Sequence, residues 1–567
     1  MLEATTRTWA KYILGLTATV VLLAGCGGGG GGGTSPPPAP PPPPQPPTAA
    51  ELAEASRFAA KATFGLPWSD IDALAREEPE SWLQRQFALP VGRHSAVVAD
   101  LLQRREAGEF AEFEEDIEYL ILFRRLAWWH QTVTAPDVLR QRVAFALSQV
   151  FVVSDNVDDL IINPFAMSDY YDMLLENAFG NFRDLLRDVS LHPSMGIYLS
   201  HVNNRRSDPA NNIFPDENYA REVMQLFSIG LFELNIDGSL KLDNNGDPIP
   251  TYSNEEIREF AKIFTGLSFG GSGAYFGKPG PDFLAPMQMF DAYHEPGSKN
   301  LLNGTVVPSG QTGSQDIEAA IDNLFEHPNV GPFVGKQLIQ RLVTSNPSPA
   351  YIERVARAFN GDTTGVRGDM QAVVRAVLLD PEANAMPDLF GSFGKLREPV
   401  VRYASILRQF GATSDDGFIA NTGYFLQELG KQHPLSAPSV FNFFLPAHSP
   451  AGEIADANLV APEFQITTSN SVVGMSNLID FIVVADFVTD APEPFAPVSL
   501  TFDDYVGIAD DVGTLVERLD IVLTGGTLDP STRTAIEAIL TDIPDLEIRV
   551  RIALYLFLIS PDYAVRL

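Results

Sequence analysis

The segment VLRQRVAFALSQVF, residues 138–151, gives the plainest indication of the fold. Its apolar residues lie at spacings that bring them onto one side of an α-helix, and they include Val138, Val143, Leu147, Val150 and Phe151. The same kind of spacing returns in residues 120–127 and 351–378, whereas alternating runs typical of strands are few. The sequence therefore predicts a mainly α protein with one large multi-helix body.

Two stretches depart from this helical pattern. Residues 235–252 contain Asp237-Gly238 and Asn245-Gly246, and such dipeptides are the strongest short signal for a hairpin. We therefore expect a small β-hairpin insertion there. Residues 269–313 are rich in glycine and irregular, and long irregular segments in compact domains are often functional. This glycine-rich segment is therefore the first place where we expect a functional site.

The first 26 residues have the layout of an export signal. Arg7 and Lys11 precede a mostly apolar run that ends in Leu-Ala-Gly-Cys at Cys26. The run is shorter than the roughly 20 apolar residues that cross a bilayer, and it fits a signal peptide. Its last four residues resemble the lipobox of bacterial lipoproteins, so Cys26 is the predicted site of lipid attachment. An ordinary secretory signal with a stray cysteine is the alternative.

These features divide the chain into four predicted regions. Residues 1–25 are the signal peptide of a lipoprotein, and residues 26–48 combine the lipidated cysteine with a linker of glycine and proline. Residues 49–470 form the helical core, and residues 471–567 form a C-terminal helical subdomain. We expect the lipid to anchor the protein in a membrane, with its body in the periplasm or outside the cell. Because Gly27 stands where an aspartate favours inner-membrane retention, outer-membrane or cell-surface placement is expected.

The composition narrows the classes of function. The chain has 72 acidic and 39 basic residues and a formal charge of −33, which opposes binding to nucleic acid. Solubility in an ion-rich external medium is the preferred interpretation of this charge, and binding of a cation such as calcium is the alternative. Cys26 is the sole cysteine, so intrachain disulfides and thiolate metal sites are excluded.

A dense polar motif, PDENYARE, lies at residues 215–222. Its Pro-Asp step suits the start of a helix, and Gly230 suits the end. On such a helix Glu217 and Arg221 are neighbours one turn apart, and Glu222 follows directly. These groups can orient a substrate, bind a hard cation or act in acid–base catalysis. A structural cluster of ion pairs is the alternative.

This motif resembles that of the bacterial domain-of-unknown-function 1800 family, Asn-Glu-Asn-x-Ala-Arg-Glu, with Asp216 here in the first position. Further similar segments cover nearly the whole mature chain, at residues 57–65, 142–148, 251–253, 264–267, 294–299, 301–304 and 395–399. The resemblance implies an exported, largely helical protein without an assigned activity. Members are often encoded beside an exported protein similar to sulfatases, which implies a sulfatase-like partner.

The family pattern also has a His-Asp pair followed by Gly and Lys, and this chain has HEPGSK at residues 294–299. His294 taken with Glu217 and Glu222 predicts a histidine–carboxylate site. Imidazole and carboxylates suit a divalent cation such as zinc or manganese, or acid–base catalysis. A structural hydrogen-bonding role for a lone histidine is the alternative.

The predicted hairpin carries several oxygen ligands of its own, at Asp237, Asp243, Asn245 and Asp247. Calcium binds several such oxygens from a short flexible segment. The spacing and the closing glutamate of an EF-hand are absent, however. A solvated hairpin is therefore the preferred interpretation, with a calcium loop as the alternative.

Two functions follow as hypotheses. The first is a tethered helical lipoprotein that binds or assists another exported protein, with the sulfatase-like protein as the expected partner. The second is an extracytoplasmic hydrolase in which Glu217 or Glu222 is a general base or cation ligand. In that hydrolase Arg221 holds an anionic group, and His294 acts as an acid, a base or a ligand.

Overall fold

The computed structural model describes most of the chain outside its N-terminal segment, and the described residues are 45–110, 116–278, 283–385 and 392–567. The predicted signal peptide, Cys26 and most of the predicted linker lie outside the described residues. From Pro47 to Leu567 the chain forms one compact unit.

The described residues contain 26 α-helices, which confirms the prediction of a mainly α protein. The helices are α1 Ala49–Ala62, α2 Trp68–Leu74, α3 Pro79–Ala88, α4 His94–Glu106, α5 Asp116–Thr134, α6 Val138–Ser148, α7 Asp158–Ile161, α8 Pro164–Asn177, α9 Phe182–Leu191, α10 Pro193–Tyr198, α11 Asn218–Gln225, α12 Asn254–Ile263, α13 Gly313–Phe325, α14 Val330–Leu342, α15 Pro349–Phe359, α16 Met370–Leu378, α17 Pro381–Asn384, α18 Pro399–Gln409, α19 Tyr424–Gly430, α20 Glu453–Asp456, α21 Ser469–Val483, α22 Asp503–Val506, α23 Val512–Leu519, α24 Pro530–Thr541, α25 Leu546–Ile559 and α26 Pro561–Ala564. Within the described ranges, none of these helices combines the length and the apolar character needed to cross a bilayer.

Eight short strands form four antiparallel pairs, β1 with β2, β3 with β4, β5 with β8 and β6 with β7. The strands are β1 Leu267–Ser268, β2 Gln288–Met289, β3 Lys299–Asn300, β4 Val306–Val307, β5 Lys395–Leu396, β6 Thr413–Ser414, β7 Val498–Ser499 and β8 Val565–Arg566. In the described part of the glycine-rich segment, at residues 269–278 and 283–313, the regular structure ahead of α13 consists of strands β2, β3 and β4 and two short 3-10 turns.

Helix α6 forms from the segment whose spacing predicted it. Every residue of α6 is buried, because α3, α8 and α14 pack around it. The neighbouring helix α5 adds Trp128 and Trp129, which are both 0% exposed and whose ring centroids lie 4.9 Å apart in an edge-to-face contact. Helix α6 thus lies within a large core of aromatic and aliphatic side chains.

The predicted C-terminal subdomain packs directly against the predicted core. Strand β8 pairs with β5, so the end of the chain is hydrogen-bonded to its middle. The Arg566 guanidinium donates to the carbonyl oxygens of Ala60, Leu342 and Val343. These interior contacts tie helix α1, helix α14 and the last residues into one body.

The insertion predicted at residues 235–252 occupies residues 231–250 in the structure, and it consists of three short segments. The amide of Glu233 donates to the carbonyl of Ile249, the amide of Ile249 to that of Lys241, and the amide of Lys241 to that of Glu233. Each segment is therefore hydrogen-bonded to both of the others. The turns between them carry the predicted glycines, Gly238 and Gly246, with φ angles of +76° and +89° that favour glycine.

Candidate functional site

The polar motif begins helix α11, whose first turn is fixed by two side chains. The Asp216 carboxylate accepts a hydrogen bond from the amide of Asn218 at 2.8 Å. The side-chain oxygen of Asn204 accepts one from the amide of Asp216 at 2.9 Å. The helix is shorter than the predicted one and ends before Gly230, because a wide turn intervenes and Gly230 closes it with a φ of +74°.

Glu217 and Arg221 form the ion pair that their spacing predicts. Their charged atoms lie 3.3 Å apart, and each side chain is 41% exposed. Arg258 of helix α12 approaches the same carboxylate at 3.9 Å. An exposed pair of this kind contributes little to stability, so these two side chains remain available to a ligand.

Glu222 points the other way, into the protein. It is 6% exposed, and its Oε2 atom has no hydrogen-bond partner among the described residues. Burial raises the pKa of this carboxyl, and the positive charge of Arg221 opposes the rise. Burial also raises the pKa values of Tyr198 and Tyr252 to about 12, with a smaller contribution from the Glu222 charge. Glu222 is thus a buried, incompletely paired acid.

His294 lies in the interior and has partners on both ring nitrogens. The residue is 2% exposed. Its Nδ1 lies 2.8 Å from the carbonyl oxygen of Thr265, and its Nε2 lies 2.9 Å from Oδ2 of Asp316. The Lys299 ammonium donates to the same carboxylate oxygen at 2.5 Å and to the carbonyl of Gly297 at 3.0 Å. His294, Lys299 and Asp316 therefore form a buried charged group.

Asp316 is the acceptor at the centre of this group. Burial alone would raise its carboxyl pKa, but hydrogen bonds from Lys299, His294 and Gln311 outweigh burial and lower the pKa. The sequence did not identify Asp316, since it follows His294 by 22 residues. No motif spacing marks the pair. Glu295, the acid next to His294, instead accepts a hydrogen bond from the amide of Ser207 at 3.1 Å.

The two halves of the predicted site meet at one loop without bonding to each other. Asn204, which holds the start of α11, also accepts a hydrogen bond from the amide of Gly266 at 2.8 Å. Gly266 lies against His294, since a Cβ atom placed on it would be 3.0 Å from the His294 backbone nitrogen. In the described residues, the hydrogen bonds and ion pairs of His294 do not involve Glu217, Arg221 or Glu222.

The acidic residues of the insertion hold its turns. Asp237 accepts a hydrogen bond from the amide of Ser239 at 2.9 Å, and Asp243 accepts from the amides of Asn245 and Asp247 at 2.8 and 3.0 Å. These contacts close the two turns of the insertion. Across the part of the chain that the structure describes, no group of three or more His, Asp or Glu side chains is placed to hold a metal ion.

An exposed aromatic patch lies elsewhere on the surface, on α19 and α21. Phe425 lies 6.4 Å from Phe481 and 5.5 Å from Phe487 between ring centroids. The three residues are 39%, 40% and 48% exposed, and Val484 beside them is 41% exposed. We call these four residues the aromatic patch. The patch has no signature in the sequence, because Phe425 meets Phe481 and Phe487 only through the packing of α19 against α21.

Together these features define a large α-helical protein with a buried His–Lys–Asp group next to an exposed polar helix start. The sequence profile of the family described as "Protein of unknown function (DUF1800)" matches residues 57–565, and the chain belongs to this family. The match confirms the resemblance that the motifs indicated. No curated protein and no solved structure matches the chain.

Proposed function

We propose that this protein is an exported, membrane-tethered lipoprotein that binds or assists another exported protein through the aromatic patch. The observation that carries the proposal is the cluster of Phe425, Phe481 and Phe487, each well exposed although aromatic. Contiguous exposed apolar surface marks interaction sites, and the cores of protein interfaces are enriched in aromatic side chains. Cys26 supplies the predicted tether.

The charges around the patch favour a protein partner over a lipid surface. Asp486, adjacent to Phe487, is 55% exposed and lies 3.4 Å from Arg551, and the Glu428 side chain on helix α19 is 79% exposed and lies 3.9 Å from Lys431. Both carboxylates belong to a chain whose formal charge is −33. Anionic lipid headgroups attract basic segments and repel acidic ones. A protein that combines an apolar contact with basic side chains at the rim fits this surface, and the sulfatase-like exported protein is the first candidate.

Site-specific cross-linking in native membranes tests the proposal. The full chain carries the photoreactive residue p-benzoylphenylalanine in place of Phe487, or in place of Val306 as an equally exposed control on β4. We expect one stoichiometric cross-linked protein from the Phe487 position, identified by mass spectrometry as the sulfatase-like protein. We also expect Phe481→Ser to abolish this product. Equal labelling from both positions, or no stoichiometric product, would contradict the proposal.

A hydrolase remains the second candidate, and Glu222 is the observation in its favour. A carboxyl whose pKa is raised by burial and which keeps an unpartnered oxygen is typical of a general acid. His294 is less suited to touch a substrate, because both of its ring nitrogens are engaged in the interior. Glu217 and Arg221 are exposed beside Glu222 and would hold the substrate.

Screening the full chain against polymer and ester substrates tests the hydrolase. We expect any turnover to fall at least 100-fold in Glu222→Gln, the typical effect of removing an acid–base group, and to persist in Glu255→Gln, an exposed control on helix α12. Activity that survives Glu222→Gln would exclude Glu222 from the chemistry.

A further inference from the structure

A deep cleft opens between the insertion at residues 231–250, helix α14 and the loop at residues 440–447. Its volume is about 540 Å³, within the range of roughly 300–1,000 Å³ that small-molecule sites occupy. Leu231, Phe232 and Leu240 line one wall. The cleft is apart from the aromatic patch and from the buried His294 group, whose residues do not line it.

The walls of the cleft are held in place by hydrogen bonds. The side chain of Asn329, next to α14, donates to the carbonyl oxygens of Ile229 and Phe232 at 2.9 and 2.8 Å and accepts from the amide of Leu234 at 2.9 Å. On the other side, Gln340 donates to the carbonyl of Pro446 at 3.2 Å. The cavity is therefore preformed, which lowers the entropy lost when a ligand binds.

Arg341, in the last turn of α14, lines this cleft with an unused guanidinium. The residue is 3% exposed, yet in the described residues its side chain donates no hydrogen bond and forms no ion pair. Its one side-chain contact of note is with the Phe444 ring, whose centroid lies 4.8 Å from the guanidinium carbon. Buried guanidinium groups are normally paired, whereas in the described residues Glu398 and Glu463 influence Arg341 only through their charge, without a hydrogen bond or ion pair to it.

The charges around Arg341 point to an anion. Four buried cations interact here with two buried carboxylates; the cations are Arg142, Arg341, Lys395 and Arg566, and the carboxylates are Glu398 and Glu463. The surplus among these six groups is two positive charges, and the buried Arg397, which acts on Arg566, adds another. Lys336 and Arg341 are the charged residues that line the cleft, and its lining contains no Asp or Glu, although the chain has 72 acidic against 39 basic residues.

We propose that the cleft binds a small amphipathic carboxylate, with its apolar chain between the insertion and the 440–447 loop and its carboxylate on Arg341. A carboxylate matches the planar fork of one guanidinium, which can donate two parallel hydrogen bonds. Leu231 and Phe441, 49% and 45% exposed at the cleft, would be covered by the apolar chain. Lys336 adds a second positive charge to the lining.

Calorimetric titration with straight-chain carboxylates tests the proposal. The protein used is residues 26–567 with Cys26→Ala, which carries neither the predicted signal peptide nor a lipid and so needs no detergent, and decanoate is the probe with decanol as its uncharged match. We expect one decanoate site per chain, and an affinity that rises about fourfold for each added methylene between octanoate and dodecanoate. Decanol and decyltrimethylammonium are expected to bind roughly ten- to a hundredfold more weakly, because they forgo a hydrogen-bonded charge pair.

Substitutions locate the site. Arg341→Met should weaken decanoate roughly ten- to a hundredfold and leave decanol unchanged. Because Arg341 is buried, Leu231→Glu is a second variant at an exposed position; the loss of apolar contact should weaken both ligands, and the negative charge should weaken decanoate more than decanol. Val306→Glu, exposed and away from the cleft, should have no effect. Equal binding of decanoate and decanol to the unsubstituted cleft, or decanoate binding that survives both cleft variants, would overturn the proposal.

Discussion

The Glu217–Arg221 pair and the His294–Lys299–Asp316 group contain the same kinds of charged side chain in opposite surroundings. Glu217 and Arg221 are each 41% exposed, and their charged atoms lie 3.3 Å apart. The side chains of Lys299 and Asp316 are 1% and 2% exposed, with their charged atoms 2.5 Å apart. Water competes for the first pair and is excluded from the second.

This difference decides which group supports the fold and which can serve a ligand. Removing one member of an exposed pair leaves its partner to water at little cost. Removing one member of a buried pair leaves an uncompensated charge in the interior, which is strongly destabilising. Glu222 is a third case, since it is buried and its Oε2 atom has no hydrogen-bond partner in the described residues.

The largest effect is expected for Asp316→Ala. The substitution leaves the Lys299 ammonium buried without its carboxylate and removes the partner of His294 Nε2. We expect the free energy of unfolding to fall by about 3–5 kcal/mol, measured by denaturant unfolding. Asp322→Ala on the same helix is the control, because that side chain is 57% exposed against Arg183; it should cost less than about 1 kcal/mol. Equal losses of unfolding free energy in the two variants would contradict the expected difference between buried and exposed ion pairs.

The pH dependence of stability is a second test of the buried Asp316 carboxylate. Because the folded-state pKa of Asp316 is lowered, its contribution to stability is complete above the ordinary aspartate pKa of about 3.9 and is lost as the pH falls through the lower, folded value. Unfolding measured from about pH 5 down to pH 2 should therefore show a steeper loss of stability for the unsubstituted chain than for Asp316→Ala. Parallel curves would show that the Asp316 carboxyl titrates alike in the folded and unfolded chain.

Features set by local spacing were accessible from sequence. The apolar spacing of residues 138–151 predicted α6 as a helix, although the burial of its polar residues as well depends on the packing of α3, α8 and α14 around it. The four-residue spacing of Glu217 and Arg221 predicted their ion pair.

The buried side was not accessible in the same way. Asp316 meets His294 and Lys299 only because α13 packs against an irregular loop, and no periodicity relates these positions. Arg341 occupies a helical position like many surface arginines, and the ring that covers its guanidinium, Phe444, lies about 100 residues further along the chain. Contacts between segments that are far apart in the chain leave no pattern in the local sequence.

A smaller effect of opposite sign is expected for Glu222→Met. Burial raises the pKa of this carboxyl, so its ionised form costs stability above the ordinary glutamate pKa of about 4.3. A side chain of similar size without the unpartnered oxygen should raise the free energy of unfolding by about 1 kcal/mol at pH 7, and by less near pH 4. Glu217→Met, at an exposed position, is the control and should not raise the free energy of unfolding. A loss of stability in Glu222→Met would show that the carboxylate has a favourable partner in the fold.

The smallest effect is expected for Arg221→Ala. The guanidinium is 41% exposed and pairs with a carboxylate that water also reaches, so the free energy of unfolding should fall by less than about 0.5 kcal/mol. In about 1 M salt, where charges are screened within about 3 Å, this difference should vanish. Arg258→Ala, 59% exposed and 3.9 Å from the same carboxylate, should behave alike. A loss above about 1 kcal/mol that persists in salt would place Arg221 with the buried group, because only charges shielded from water keep their attraction at that ionic strength.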